Sequence, residues 1–378
     1  MTAGHDLDID WFQAHDYLIR GGYAWVGVTP QRIGVEALKA WNAKRYASLD
    51  VTAGGTVAND DLSYDIFTAA AEIIRHPGSV DVMGGLRVER IFATGHSQSA
   101  SRLATYVNAV HPLQKVFDAV IVHGGGGRIR TDLDVRVWKL SSETDVLNGH
   151  AASRQPDTDK FRHWEVAGDS HVDLQFVTYS RQLSQRDGSP IAPGFTPGGA
   201  PRSATPAAPA AAARPTLGAG AAGNAARGAA NAGGCDRPSY SHIPFYFVMD
   251  AAIDHLVRWV KDGTLPPTAP EIEVSSVGPP VVVVRDKAGN ALGGIRLSQH
   301  AVPTAVNTGQ NSGPGFCRLN GSYEPFDAAT LASLYPTHAG YVAAVKDVTA
   351  KNLKAGYILQ PEADQTIADA EKSDIGAR

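Results

Sequence analysis

One stretch of the chain has the residue types and the spacing for nucleophilic chemistry: Ile91-Phe92-Ala93-Thr94-Gly95-His96-Ser97-Gln98-Ser99-Ala100. An apolar run leads into Gly-x-Ser-x-Ser, and a helical pattern follows at once. A tight strand-to-helix turn of this kind lifts a serine hydroxyl clear of a sheet, as acyl transfer requires. It also sets the next backbone N–H, that of Gln98, where a developing oxyanion would sit. Glycine usually stands two residues after the serine, because side chains crowd the turn. Ser99 is small but keeps its Cβ. The pattern alone is common and fits an inert serine in a plain turn. Its weight comes from the strand before it and the helix after it.

A nucleophilic serine needs a base within hydrogen-bond reach, and the base needs an acid to orient it. His150, His163 and His171 compete for the first role. His171 lies in a loop just after an apolar run, in Val166-Ala167-Gly168-Asp169-Ser170-His171, and Gly-Asp-Ser favours a turn that presents the ring at a sheet edge. His163 lies at the start of that run, at the wrong end of the sheet, and His150 falls in an unpatterned stretch. The acid is expected in the loop Ser141-Ser142-Glu143-Thr144-Asp145. Both Glu143 and Asp145 are candidates, and the loser becomes a solvated loop acid or a partner behind the first.

The elements that must position these groups alternate between strand and helix, which predicts a mostly parallel α/β sheet with flanking helices. Trp11–Arg20 reads as a helix closed by Gly21-Gly22, and Tyr23–Val28 as a buried strand. Asp60-Asp61 are expected to cap a helix whose apolar face is Leu62, Ile66, Ala70 and Ile73-Ile74, with Pro77-Gly78 ending it. Further strands are expected at Val88–Thr94, Phe117–Val122, Val135–Leu140 and Phe161–Val166. Leu103, Val107 and Val110 mark a helix stopped by Pro112. Phe245–Lys261 reads as a helix with Met249, Ala252, Leu256 and Trp259 on one side. Beyond it lie a strand at Val281–Val284, a turn at Gly289-Asn290, and helical stretches near 328–335 and 338–356. The expected organisation is a core over 1–187, a disordered Ala/Gly/Pro-rich insertion over 188–238, the last core helix over 239–265, and a C-terminal extension over 266–378 that packs on the core.

Hydrophobic residues make up 43% of the 378-residue chain and charged residues 19%, enough for a sizeable core. The net charge of −4 gives no basic face for nucleic acid. No apolar run reaches the ~18 residues of a membrane span. No cluster of His, Cys and carboxylates has metal-ligand spacing, since His242 near Cys235 is too sparse, and no cofactor is implied. Cys235 and Cys317, both in Gly/Pro-rich segments expected to be exposed, can form one bridge or stay as thiols. The oligomeric state is open.

The chain resembles a bacterial α/β-hydrolase-domain family of serine hydrolases. The resemblance is carried by Gly22-Tyr23-Ala24-Trp25-Val26-Gly27-Val28, by Gly95-His96-Ser97-Gln98-Ser99 continuing as Ser101-Arg102-Leu103-Ala104-Thr105-Tyr106, by Ser142-Glu143-Thr144-Asp145, and by Gly293-Gly294-Ile295-Arg296. It implies the chain order serine, acid, histidine, and esterase chemistry on a small-molecule ester. By that family's spacing Asp145 is preferred over Glu143. His123-Gly124-Gly125-Gly126-Gly127 looks like the oxyanion motif of some esterases, but there the motif precedes the nucleophile. Here it is expected, with His96, on the rim of the site, with Gly124 and Gly125 letting substrate approach the backbone. Such a fold also opens with about three strands before its first helix. This chain therefore reads as lacking the first strands, which leaves a secreted or periplasmic parent open although no signal peptide is visible. The second oxyanion N–H is then expected from Ala3 or Gly4. The alternatives are a non-catalytic hydrolase-like binding protein or an inactive truncated fragment.

Overall fold

The computed structural model describes residues 8–188 and 234–377. The expected insertion falls largely outside the described residues. Four strands form one parallel sheet in sequential order: β1 (Phe92–His96), β2 (Ala119–His123), β3 (Arg136–Ser142) and β4 (Phe161–Val166). Phe92 pairs with Ala119, Ala119 with Arg136, and Val137 with Phe161. Every residue of β2 and β4 is buried, as expected of a parallel sheet covered on both faces. The strand period of two divides the core. Val120, Val122, Val137 and Phe161 face one layer, while Ile121, Trp138, Leu140, Trp164 and Val166 face the other.

The first layer is α4 (Gln98–Thr105), which packs Ala100, Leu103 and Ala104 on the sheet. The second is α1 (Ile9–Arg20) and α7 (Phe245–Asp262). In α7 the spacing of Met249, Ala252, Leu256 and Trp259 places all four in the core, and Gly263 ends the helix with φ 78°. Further helices before α7 include α2 (Arg32–Trp41), α3 (Ser63–Arg75), α5 (Glu143–Leu147) and α6 (Leu174–Asp187).

Several expectations are corrected. Tyr23–Val28 is not a buried strand: the segment pairs with nothing in a sheet, and Tyr23 and Val26 are exposed. It lies across a cavity of about 760 Å³ from β1, and no strand among the described residues covers that side of β1. A strand exists only by its partner, so an apolar run without one stays irregular. α3 begins at Ser63 rather than under an Asp60-Asp61 cap, because Asp60 instead accepts the Arg32 backbone N–H at 2.7 Å. Its buried residues are Ser63, Thr68 and Ala71, and Ile73 is exposed. Pro112 does not stop the helix after Ser97. The chain runs on through a wider turn at Tyr106–Val110 into a short helix at His111–Gln114, where Pro112 sits in the first turn and loses no bond. The stop is Lys115, left-handed at φ 53°.

The C-terminal region includes two small antiparallel pairs, two four-residue helical turns at Ser298–Ala301 and Cys317–Asn320, and three longer helices. The pairs are β5 (Val274–Ser276) with β6 (Val282–Val283), and β7 (Ala305–Thr308) with β8 (Ser322–Pro325). The longer helices are α8 (Ala328–Leu334), α9 (His338–Ala355) and α10 (Gln360–Lys372). Ile295 covers the outer edge of β4: its N–H bonds Glu165 O at 2.7 Å and its carbonyl accepts Ala167 N–H at 3.0 Å. Cys235 and Cys317 form a disulfide, and both are buried rather than exposed. Among the described residues no helix is long and apolar enough to cross a membrane.

Candidate active site

The turn after β1 is held in a strained shape. Ser97 has φ 59° and ψ −122°, a region that side chains with a Cβ rarely adopt. Two backbone bonds fix it there: Ser97 N–H to His123 O, and Ser101 N–H to Ser97 O, both at 3.0 Å. A Cβ on Gly95 would lie 3.1 Å from the carbonyl carbon of Ser99, so glycine lets strand and helix pack this closely. Gln98 is the first residue of α4, at the helix end where backbone N–H groups point outward. Ala3 and Gly4 lie outside the described residues.

The structure brings Ser97, His171 and Asp145 together. His171 Nε2 stands 2.8 Å from Ser97 Oγ, and His171 Nδ1 stands 2.7 Å from Asp145 Oδ1. The histidine loop follows β4 and turns at Gly168, φ 76°. It is braced from the C-terminal side: Val172 N–H donates to Leu319 O at 2.9 Å, and Ser241 Oγ donates to Gly168 O at 2.7 Å. Asp173 then caps α6 by accepting the Phe176 N–H.

The acid is placed by a helix cap. Ser142 is the N-cap of α5, and Asp145 Oδ2 accepts both the Ser142 N–H and the Ser142 hydroxyl at 2.8 Å. That leaves Oδ1 aimed at His171. Burial alone would raise the Asp145 carboxyl, but the neighbouring His171 and the Ser142 N–H outweigh it and hold the group well below the usual carboxylate range. Ser142-x-x-Asp145 is a capping signature visible in the sequence. Glu143 is neither the partner of His171 nor a solvated acid. It is fully buried, and its carboxylate accepts the Gly168 N–H at 2.8 Å and the Arg285 guanidinium at 2.6 Å.

The expected rim residues are all buried. A Cβ on Gly124 would come 3.1 Å from the His171 ring, and one on Gly125 would come 2.4 Å from Ser97 O. The glycines therefore let the backbone pass beneath Ser97, His171 and Asp145. The His96 ring lies 4.3 Å from both the His171 and His123 rings. Burial first, then the nearby His171 and His123, push His96 well below the usual histidine range. A neutral His96 does not repel a protonated His171. Lys139, also buried, donates to Gly127 O at 3.0 Å and so holds the glycine loop. Burial lowers its ammonium to about 8.

Sequence reasoning missed Asp10. Its carboxylate binds His123 Nδ1 at 2.7 Å and the Thr94 hydroxyl, tying α1 to the ends of β1 and β2. His123 in turn stacks on Phe245 at 4.6 Å. Nothing local distinguishes Asp10 from other helix acids, so no sequence signal could have found it. Among the described residues no group of three or more His, Cys, Asp or Glu could hold a metal ion.

A parallel sheet with a strained serine turn after one strand, an acid after the strand two places over and a histidine after the strand beyond it, is the architecture of the α/β hydrolases. The family described as "Alpha/beta hydrolase domain" matches residues 1–368, and the chain belongs to it. Membership indicates a hydrolase acting on a small molecule. No curated protein and no solved structure matches the chain.

Proposed function

We propose that the chain is a serine hydrolase that cleaves carboxylic esters through Ser97, His171 and Asp145. One observation carries the reading: an unbroken hydrogen-bonded line from Asp145 through His171 to Ser97, with contacts of 2.7 and 2.8 Å. Asp145 keeps a proton on His171 Nδ1, so Nε2 is free to accept one. Ser97 Oγ attacks the ester carbonyl carbon as its proton passes to Nε2. The displaced electron pair moves to the carbonyl oxygen, which receives the N–H of Gln98. Collapse breaks the ester C–O bond. The alcohol leaves with the proton from His171, and Ser97 remains acylated. Water, deprotonated by His171, then releases the acid and restores Ser97.

The test is hydrolysis of p-nitrophenyl acetate beside labelling by a fluorophosphonate probe. The wild-type chain is expected to do both, and Ser97→Ala neither. A folded wild-type chain that neither turns over nor labels would overturn the reading in favour of a hydrolase-like binding protein.

A further inference from the structure

The two loops that carry the acid and the base are joined by a side chain that belongs to neither hydrogen bond of the triad. Glu143 stands two positions before Asp145 and opens α5. One carboxylate oxygen accepts the N–H of Gly168, three positions before His171, at 2.8 Å. The other accepts Arg285 Nη2 at 2.6 Å. Arg285 also donates to Gly289 O at 3.3 Å, in the turn after β6. So a single buried carboxylate links the acid loop, the histidine loop and the C-terminal region.

The space around this link is closed. A Cβ on Gly168 would lie 2.2 Å from His300 Nδ1, and one on Gly309 would lie 2.2 Å from Thr144 N. Thr144 Oγ1 donates to Gly309 O at 2.6 Å beside it. Neither loop can shift without displacing the C-terminal region. A neutral group would not serve as well, because the charge of the fully buried Glu143 carboxylate is matched by the half-buried Arg285 cation.

We infer that Glu143 is a positioning residue: it sets the distance between Asp145 and His171 by clamping their two loops to Arg285. The C-terminal region then takes part in the reaction without contributing a reacting group. The inference rests on the Ser97–His171–Asp145 reading. Catalytic groups tolerate little error in position, and a misplacement of about 1 Å costs about 10²-fold in rate.

The experiment compares Glu143→Gln with wild type by steady-state kinetics and by proton NMR of the His171–Asp145 hydrogen bond. Glutamine can still accept from Gly168 with its carbonyl oxygen, but its amide N–H₂ then faces Arg285 donor to donor. The expected result is a fall in kcat of about 10- to 100-fold with KM within about threefold. The low-field His171 proton signal should broaden or vanish at temperatures well below the melting point. Arg285→Met should reproduce this, and the double variant should be no worse than either single one, because both break the same contact. A kcat within twofold of wild type, or a lost kcat with an unchanged proton signal, would overturn the inference. If Glu143→Gln does not fold, Arg285→Met alone is read by the same two measurements, with the same expected fall and the same overturning results. The proton signal needs no turnover. It therefore reports on the clamp even where ester hydrolysis itself fails, and that failure counts against the triad reading alone.

Discussion

Replacing Asp145 by asparagine changes one atom and should remove nearly all activity. Asp145 Oδ2 receives two donors from Ser142, and Oδ1 receives one from His171. Asparagine has one oxygen for these three donors. Its oxygen is expected to stay with Ser142, because turning the amide nitrogen there would set donors against two donors. The amide N–H₂ then faces His171 Nδ1, which must accept. The ring proton moves to Nε2, and Nε2 now donates to Ser97 Oγ instead of taking its proton. A wrong tautomer of this kind costs about 10⁴-fold in kcat, or about 5 kcal/mol at 1.36 kcal/mol per tenfold. The assay is kcat and kcat/KM on p-nitrophenyl acetate, with melting temperature as the control for folding. A loss below about tenfold in a folded variant would refute the reasoning, since it would leave Asp145 without the task of fixing the tautomer.

Gly125→Ala sets a Cβ 2.4 Å from Ser97 O, so kcat should fall at least tenfold, and steady-state kinetics on the same ester would show it. Cys235→Ser should lower stability by about 4 kcal/mol, because the bridge closes a loop with a sequence separation of 82; urea unfolding measures this, and an unchanged midpoint would contradict it. Asp250 on α7 is pushed up to about 9, by burial and then by nearby Glu362. Its folded value is raised above the unfolded 3.8, so the native state binds more protons between the two, and stability is lost as pH rises through that window. Asp250→Asn should therefore match wild type near pH 4 and exceed it near pH 8, by on the order of 2 kcal/mol, in thermal melts across that range.

How much the sequence could say depended on how local each cause was. Phe161–Val166 is a strand with the bounds its apolar run suggests, and Trp11–Arg20 sits within a helix that Gly21 closes. Both have their causes within a few residues. Ser97 is conspicuous for the same reason, since strand, serine and helix are contiguous. Tyr23–Val28 misled because its composition suits a strand while strand formation depends on a distant partner. Glu143 stayed open as the alternative acid because its partners, Gly168 and Arg285, lie far along the chain. Gly124 and Gly125 looked like an open rim for a similar reason. What encloses them is His171, Asp145 and Ser97, which only the fold brings near. The cysteines looked exposed because their neighbours are Gly- and Pro-rich, yet a flexible composition does not stop a segment from being covered by another.

The strand that presents Ser97 is also the border of its sheet. β2 and β3 each have a strand on both sides, and β4 has Ile295 at its outer edge, whereas among the described residues β1 pairs only with β2. With a strand on one side only, it is expected to be among the first parts of the sheet to open when the molecule is warmed or stored. Circular dichroism averages over every helix and would hardly register that event. A sample can thus look folded after the turn at Ser97 has lost its shape, so, on the proposed function, active-site titration is the better gauge of how much of a preparation still works.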